Sequence, residues 1–266
     1  MIGLKSDRTI ASRSDRVGRS STAARRPGTM TAALVVGLFA LMPARPARAH
    51  HGKDFLLTAT DDMPLPGHPY ALLSVDDTLD RGGGGRGIEI TSGFLVPVSE
   101  RFSLEPHGHF ARTDSGNGYR FAATAIGGLY RVGYLGHSQW RLGGSLEYEQ
   151  PRGEEHDNVQ GRLLLVRNFS QSLVALNLVA ARDLKSGGRT PLSVVAGVLR
   201  PLSATDNLGL ELSAPFPIAD GVEVLPGLYH LFGGPAGRTS MKLGLGVFVS
   251  RNTTAGTFHT ALIQRF

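Results

Sequence analysis

The sequence predicts an all-β protein, a transmembrane antiparallel β-barrel of about twelve strands that follows a cleaved signal peptide. Two patterns carry this prediction. After residue 67, apolar and polar residues alternate over stretches of about ten residues, which is the side-chain period of a β-strand. Clusters of Gly, Asn, Asp and Ser separate the stretches, and glycine supplies 35 of the 266 residues, as a crowded, curved sheet requires. Cysteine is absent, which excludes disulfides, iron–sulfur clusters and thiol catalysis.

The first 49 residues have the pattern of an export signal. A basic region precedes an apolar run at 31–42, and a small-x-small site ends at Ala49. The run has about twelve residues, short of the ~20 that a membrane-spanning helix needs, so a single anchor helix is the weaker alternative. The sequence therefore predicts export through the Sec route with cleavage near Ala49, and Met30 is an alternative start.

The strong positive charge belongs to this leader. Nine of the 28 Lys and Arg residues and two of the 22 Asp and Glu residues lie in it, which leaves 19 bases and 20 acids. The remaining chain is close to neutral, so the sequence predicts no nucleic-acid partner, which would need a basic patch on the folded domain.

The strands are defined by one apolar and one polar face. In the ninth, Leu208, Leu210 and Leu212 alternate with Gly209 and Glu211. The sixth to eighth are more uniformly apolar, and their register is the least defined. The predicted strands are 68–80, 86–97, 101–113, 118–132, 138–149, 157–168, 171–183, 189–200, 206–214, 221–232, 238–250 and 256–266.

A soluble β-sandwich is the main alternative fold. The second face of these strands, however, carries Glu, Arg, His, Lys and Gly, which a packed sandwich core would not accommodate unpaired. A membrane barrel turns its apolar face outward and its polar face inward, and closure leaves no unpaired edge. The sequence thus predicts a signal peptide at 1–49, an irregular periplasmic or plug-like segment at 50–67, and the barrel at 68–266.

The last strand resembles the final strand of Gram-negative outer-membrane β-barrels, because Phe258, Leu262 and Phe266 lie on one face and the chain ends on an aromatic ring. In that family this strand is the signal read by the barrel-assembly machinery. The resemblance implies that the barrel-assembly machinery is a partner, that the barrel contacts outer-membrane lipid and that the protein lies in the cell outer membrane. A periplasmic β-protein is the alternative. Gln264 departs from the pattern, since that place is usually apolar or Tyr.

The opening of the mature chain, "HHGKDFLL", resembles a loosely defined group of proteobacterial outer-membrane proteins. Some of these are related to proteins of the phenol-degradation (MetA-pathway) group. This resemblance implies a Gram-negative outer-membrane protein but no defined activity.

The polar faces predict a porin-like lumen of mixed charge. Twelve strands enclose an intermediate width, between filled eight-stranded and open sixteen-stranded barrels. We therefore expect a narrow channel or transporter-like barrel for a small, unidentified solute, with a structural or surface-interaction barrel of blocked lumen as the alternative. The predicted lining residues are Glu89, Glu105, His107, His109, Arg141, Glu147, Glu149, Arg162 and Glu211.

One stretch of this lining suggests a divalent metal. Glu105, His107 and His109 alternate along one strand, and residues two apart on one face lie ~6.6–7 Å apart. Imidazole and carboxylate ligands suit Zn²⁺, Cu²⁺ or Ni²⁺. Pro106 in the same strand suggests a bulge that would disturb the face assignment. The alternative is pairing across neighbouring strands with Arg141, Arg162, Glu89 or Glu147.

A second metal candidate is the pair His50 and His51. Cleavage after Ala49 would make His50 the N-terminal residue, whose α-amine and imidazole could chelate Cu²⁺. Apart from a divalent metal, the sequence suggests no cofactor.

No enzymatic activity is expected. Outer-membrane phospholipases, which resemble this chain in strand number, place a His and a Ser two residues apart on a lipid-facing strand. Neither His-x-Ser nor Gly-x-Ser-x-Gly occurs in the sequence. A lipid-modifying outer-membrane enzyme is therefore the least favoured function.

Overall fold

The structure is a computed structural model that describes residues 55–80, 87–112, 118–153, 156–185, 190–216, 218, 221–234 and 236–266. Each predicted strand corresponds to one observed strand, with ends that differ by a few residues. The strands are β1 (Tyr70–Asp80), β2 (Gly87–Ser99), β3 (Phe102–Arg112), β4 (Arg120–Tyr134), β5 (Arg141–Pro151), β6 (Asn158–Phe169), β7 (Ser172–Asp183), β8 (Leu192–Pro201), β9 (Asp206–Phe216), β10 (Val222–Phe232), β11 (Thr239–Val249) and β12 (Thr254–Arg265).

The twelve strands form one closed barrel in which every strand pairs antiparallel with its sequence neighbours. The seam joins β1 to β12, where Tyr70 pairs with Arg265. We call the end at which β1 begins and β12 ends the terminal end, and the opposite end the loop end. No helix among the described residues is long and apolar enough to span a membrane.

Alternation along the strands separates an apolar exterior from a more polar interior, as predicted. On β9 Leu208, Leu210 and Leu212 are exposed, whereas Gly209 and Glu211 are buried. The same outward exposure of large apolar side chains recurs around the barrel, for example at Phe94, Leu146, Leu228 and Leu245. Such a belt is unfavourable in water and matches the hydrocarbon of a bilayer.

The bulge suggested at Pro106 is not there. On β3 the pairing with β4 runs through Pro106 opposite Ile126 and shifts only between His109 and Phe110. The missing N–H of proline leaves the face assignment intact, because Pro106 is exposed while His107 is buried.

The C-terminal residue closes the seam. The backbone N–H of Phe266 donates to the carbonyl oxygen of Pro69 at 3.1 Å, and the side chain of His68 donates through Nδ1 to a main-chain oxygen of Phe266 at 3.0 Å. Gln264, which departs from the outer-membrane pattern, accepts a hydrogen bond from Oγ1 of Thr239 at 2.6 Å. Its polarity therefore has a local partner on β11.

Residues 55–64, which we call the luminal segment, form no strand and lie inside the barrel. Phe55, Leu56 and Thr58 are at most 1% exposed, and their contacts are with inward-facing positions of the strands. The chain then leaves through exposed residues 65–68 and enters β1 at Tyr70. The interior of the barrel is thus shared between strand side chains and this segment.

Candidate functional site

The luminal segment is held at mid-height by one carboxylate, that of Glu211 in the middle of β9. Its two oxygens accept the backbone N–H groups of Leu56, Leu57 and Thr58 at 2.8, 2.7 and 2.7 Å. The hydroxyl of Tyr229 on β10 donates to Oε1 at 2.6 Å. Glu211 is fully buried, and four donors satisfy a charge that would otherwise be costly to bury.

Two further polar side chains bind the backbone of the segment. Nζ of Lys242 on β11 donates to the carbonyl oxygen of Phe55 at 2.6 Å. The amide of Asn177 on β7 accepts from the N–H of Ala59 at 2.7 Å and donates to its carbonyl oxygen at 2.8 Å. A chain without strand pairing has its buried backbone groups satisfied by barrel side chains instead.

Two arginines hold the segment near the terminal end. Nε of Arg141, the first residue of β5, lies 3.0 Å from both carboxylate oxygens of Asp61. Arg131 on β4 donates through Nε and Nη2 to the carbonyl oxygen of Asp61 at 3.1 and 2.9 Å. The side chain of Asp61 is 1% exposed, so this is a buried, multiply bonded ion pair.

Apolar packing seals the segment against one side of the barrel. Leu56 and Leu57 pack with inward residues of β7, β8, β10 and β12, and Phe55 packs with Val166 and Ala175. This explains why the sixth to eighth strands are apolar on both faces: one face meets lipid and the other meets the segment.

Small residues make room for this packing. A Cβ added to Gly197 would lie 2.7 Å from Cε1 of Phe55, and one added to Gly244 would lie 2.7 Å from Cδ1 of Leu56. Both distances are far inside van der Waals contact. The strand glycines therefore shape the interior for this particular segment.

The opposite side of the segment is less completely filled: Met63 and Ala59 pack there with Leu129 and Leu164, and polar side chains line the rest. A partly open cavity of about 40 Å³ lies between the segment and β3–β6. This volume is enough for about three water molecules. We call its wall of strand residues the polar wall: Glu105, Glu147, Gln160 and Arg162, facing Thr60 and Asp62 of the luminal segment.

The predicted metal ligands lie at the edge of this region, with His107 and His109 packed ring edge to face, centroids 4.9 Å apart. Nδ1 of His109 lies 2.8 Å from Oε1 of Glu89, and Nε2 of His107 lies 3.7 Å from Oε2 of Glu147. Among the described residues no three His, Asp or Glu side chains are grouped as metal ligands. The contacts are those of the cross-strand alternative; His50 and His51 lie outside the described residues.

The remaining predicted lining residues also occupy inward positions. Glu149 follows Glu147 by two along β5 and pairs in register with Ala125, which in turn pairs with His107. Arg141 and Glu211 bind the luminal segment rather than line an open passage. The predicted lining residues thus fall into two groups: some hold the luminal segment, and the others face the part of the lumen that the segment does not fill.

Sequence reasoning missed a second histidine cluster. Nδ1 of His259 on β12 lies 2.6 Å from Oδ1 of Asp76 on β1, and its Nε2 lies 2.8 Å from Oε1 of Glu223 on β10. Inward alternation on each strand was a usable signal. The contact of His259 with Glu223 on β10 could not be predicted from alternation. It reaches across β11, where Gly244 and Gly246 carry no side chains.

Comparisons with known proteins support the fold and no closer relationship. The sequence matches no protein-family model and no curated protein. The solved NanC porin is 9% identical, and the match covers 72% of this chain and 98% of that one with a TM-score of 0.51. The translocator domain of the autotransporter NalP from Neisseria meningitidis is 17% identical, with coverage of 75% and 88% and a TM-score of 0.43. OpdK, an outer-membrane protein from Pseudomonas aeruginosa, is 8% identical, with coverage of 75% and 97% and a TM-score of 0.38. With its closed antiparallel sheet and apolar exterior, the chain has the twelve-stranded fold of an outer-membrane β-barrel.

Proposed function

We propose that this protein is a non-enzymatic outer-membrane barrel that forms a narrow conduit for a small polar solute. The observation that carries the proposal is the unequal packing of the luminal segment. One side is sealed by apolar contacts, whereas the other leaves a polar cavity along β3–β6. The conduit would run between the segment and the polar wall.

The segment is a fixed constriction in this proposal. Burial of Phe55, Leu56 and Leu57 contributes about 1.5–3 kcal/mol for each side chain. The bonds to Glu211, Lys242 and the two arginines add to this. Spontaneous withdrawal of the segment is therefore rare, and solutes have to pass beside it.

Single-channel recording in planar bilayers tests the conduit. We expect small, discrete current steps from the full mature chain, and steps about twofold larger after Arg162→Ala or Glu147→Ala, because truncation widens the narrowest part. Arg167→Ala is the matched control: Arg167 lies over the rings of Trp140 and Phe169 at 5.8 and 4.6 Å, outside the polar wall, so its loss should leave the steps unchanged.

The absence of steps in the wild type and in both wall variants would overturn the conduit. It would favour the second candidate, a structural or surface-interaction barrel with a blocked lumen. The specific support for that candidate is the small size of the cavity, about 40 Å³. Proteoliposome swelling with sugars of increasing size distinguishes the two, since a blocked barrel admits none of them.

The proposal includes the cellular setting predicted by the sequence. The apolar belt would contact outer-membrane lipid, the signal would be removed near Ala49, and the terminal end would face the periplasm. We retain as part of the proposal recognition of β12 by the barrel-assembly machinery and affiliation with the phenol-degradation group. Neither changes the expected conductance.

A further inference from the structure

The charges inside the barrel are separated along its axis. Arg141 and Arg131 bind Asp61 near the terminal end, and Lys242 binds the backbone of Phe55. Arg162 faces Glu105 and Glu147 at the cavity, and Arg265 lies at the terminal rim over Tyr70. These four basic side chains and Arg162 therefore lie below the loop half or face carboxylates, whereas Arg120 on β4 pairs in register with Ala111, in the inward row of Glu89.

The loop half of the lumen is acidic. We call six of its inward residues the acidic chamber: Asp76, Glu89, Glu149, Glu223, His109 and His259. The side chains of Asp76, Glu89 and Glu223 are 25%, 22% and 15% exposed, so solvent reaches them. Four carboxylates face two imidazoles, so these six residues carry a net charge of −2 when all four carboxylates are ionised and both imidazoles are protonated, and Arg120 does not reverse that sign.

One buried hydroxyl beside the chamber has unused hydrogen-bonding capacity. Thr257 is 6% exposed, and its Oγ1 has no hydrogen-bond partner among the residues that the structure describes. This oxygen lies over Gly246, where an added Cβ would meet it at 2.6 Å, on the inward face of β12 two residues from His259. A buried hydroxyl without a partner costs about 1–3 kcal/mol, which a bound donor would offset.

Carboxylate and hydroxyl oxygens accept hydrogen bonds, and a protonated amine supplies three donors and a positive charge. Resting on the proposed conduit, we propose that the acidic chamber selects small cations of the ammonium class and excludes anions. Carboxylates in a low-dielectric cleft concentrate counter-ions and repel ions of their own sign. The bridges from His259 to Asp76 and Glu223 hold two of the carboxylates in place.

Reversal potentials across a tenfold KCl gradient test the selectivity. For the full mature chain we expect a K⁺ to Cl⁻ permeability ratio of at least about five, as a net-negative lumen dictates. The isosteric double variant Glu89→Gln/Glu149→Gln should bring the ratio toward one. Asp77→Asn is the matched control, because Asp77 follows Asp76 on β1 and faces the other side of the sheet. A wild-type ratio of one or less would overturn the inference.

Calorimetric titration with spermidine separates this inference from the conduit itself. We expect the wild type in detergent to bind spermidine and the double variant to bind at least about tenfold more weakly, a difference of about 1.4 kcal/mol. Asp76→Asn provides a second variant if the double one does not fold. Binding that is weakened in this way without any conductance would sink the conduit and support the chamber. Conductance with no spermidine binding, or with equal binding in the variants, would sink the chamber and leave the conduit.

Discussion

At the scale of single residues, Glu211 organises the interior. Its carboxylate accepts three successive backbone N–H groups and the hydroxyl of Tyr229. Only a carboxylate side chain, that of Asp or Glu, offers two charged acceptor oxygens from one position. This residue therefore makes the largest number of bonds that hold the luminal segment at its height, and Lys242, Asn177 and the two arginines add the others.

We expect Glu211→Gln to loosen the segment without opening the barrel. A glutamine has one acceptor oxygen and turns an NH₂ group toward the backbone donors, so about 2–4 kcal/mol of local stability should be lost. Hydrogen exchange of the amides of Leu56, Leu57 and Thr58 should accelerate by about a hundredfold or more. Asp183→Asn, at an exposed carboxylate at the end of β7, is the control; equal exchange in both variants would show that Glu211 does not hold the segment.

Gly197→Val tests the shaping of the interior by glycine. The added Cβ would lie 2.7 Å from Phe55 and 2.8 Å from Oγ1 of Thr58, so we expect about 1–3 kcal/mol of destabilisation from overpacking. The readout is the temperature at which the folded barrel converts to its unfolded form on SDS gels. Gly161→Val, at a position with nothing within 4 Å, should leave that temperature unchanged, and an equal fall in both would contradict the packing argument.

At the scale of elements, the luminal segment can be locked in place. A Cβ on Gly143 would lie 3.2 Å from Cβ of Asp61, close to the ~3.5–4.5 Å of disulfides, and the chain has no other cysteine. We expect Asp61→Cys/Gly143→Cys to form the bond under oxidation. If the segment is a fixed constriction, conductance should be the same before and after reduction, with Asp61→Cys alone as the control; a rise on reduction would identify a moving gate.

The closing strand provides a prediction about assembly. Phe266 is 56% exposed and ties the end of β12 to Pro69 and His68 through its backbone. Deleting Phe266 removes those bonds and the terminal ring, so we expect the yield of assembled barrel in the outer membrane to fall several-fold. Phe266→Tyr keeps the backbone bonds and an aromatic ring, so this variant should assemble normally. A normal yield from the deletion would contradict the role given to the C-terminal strand.

At the scale of the whole molecule, alternation was enough to predict the barrel. The period of two in stretches such as 206–214 distinguishes the lipid face from the lumen face, and an even number of such stretches closes into a ring. Gln264 could not be explained in the same way, since its partner Thr239 lies on another strand. Cross-strand contacts depend on register, which alternation does not define.

The contents of the lumen were less predictable for the same reason. Glu211 and Arg141 look like pore-lining charges in sequence, yet both bind residues more than 75 positions away. The apolar character of both faces in the sixth to eighth strands was the one local sign of an internal partner. That pattern could be interpreted only if residues 55–57, "FLL", were already known to lie inside the barrel.

The position of the luminal segment directly ahead of β1 has a consequence for the order of folding. β1 and β12 come together last along the chain, and their eleven paired positions close the ring. Only residues 65–69 connect the segment to β1, so we expect the segment to be inside before the ring is complete. The strands would then close around a polypeptide that is already in place. The packing of the interior would be established during assembly and not after it.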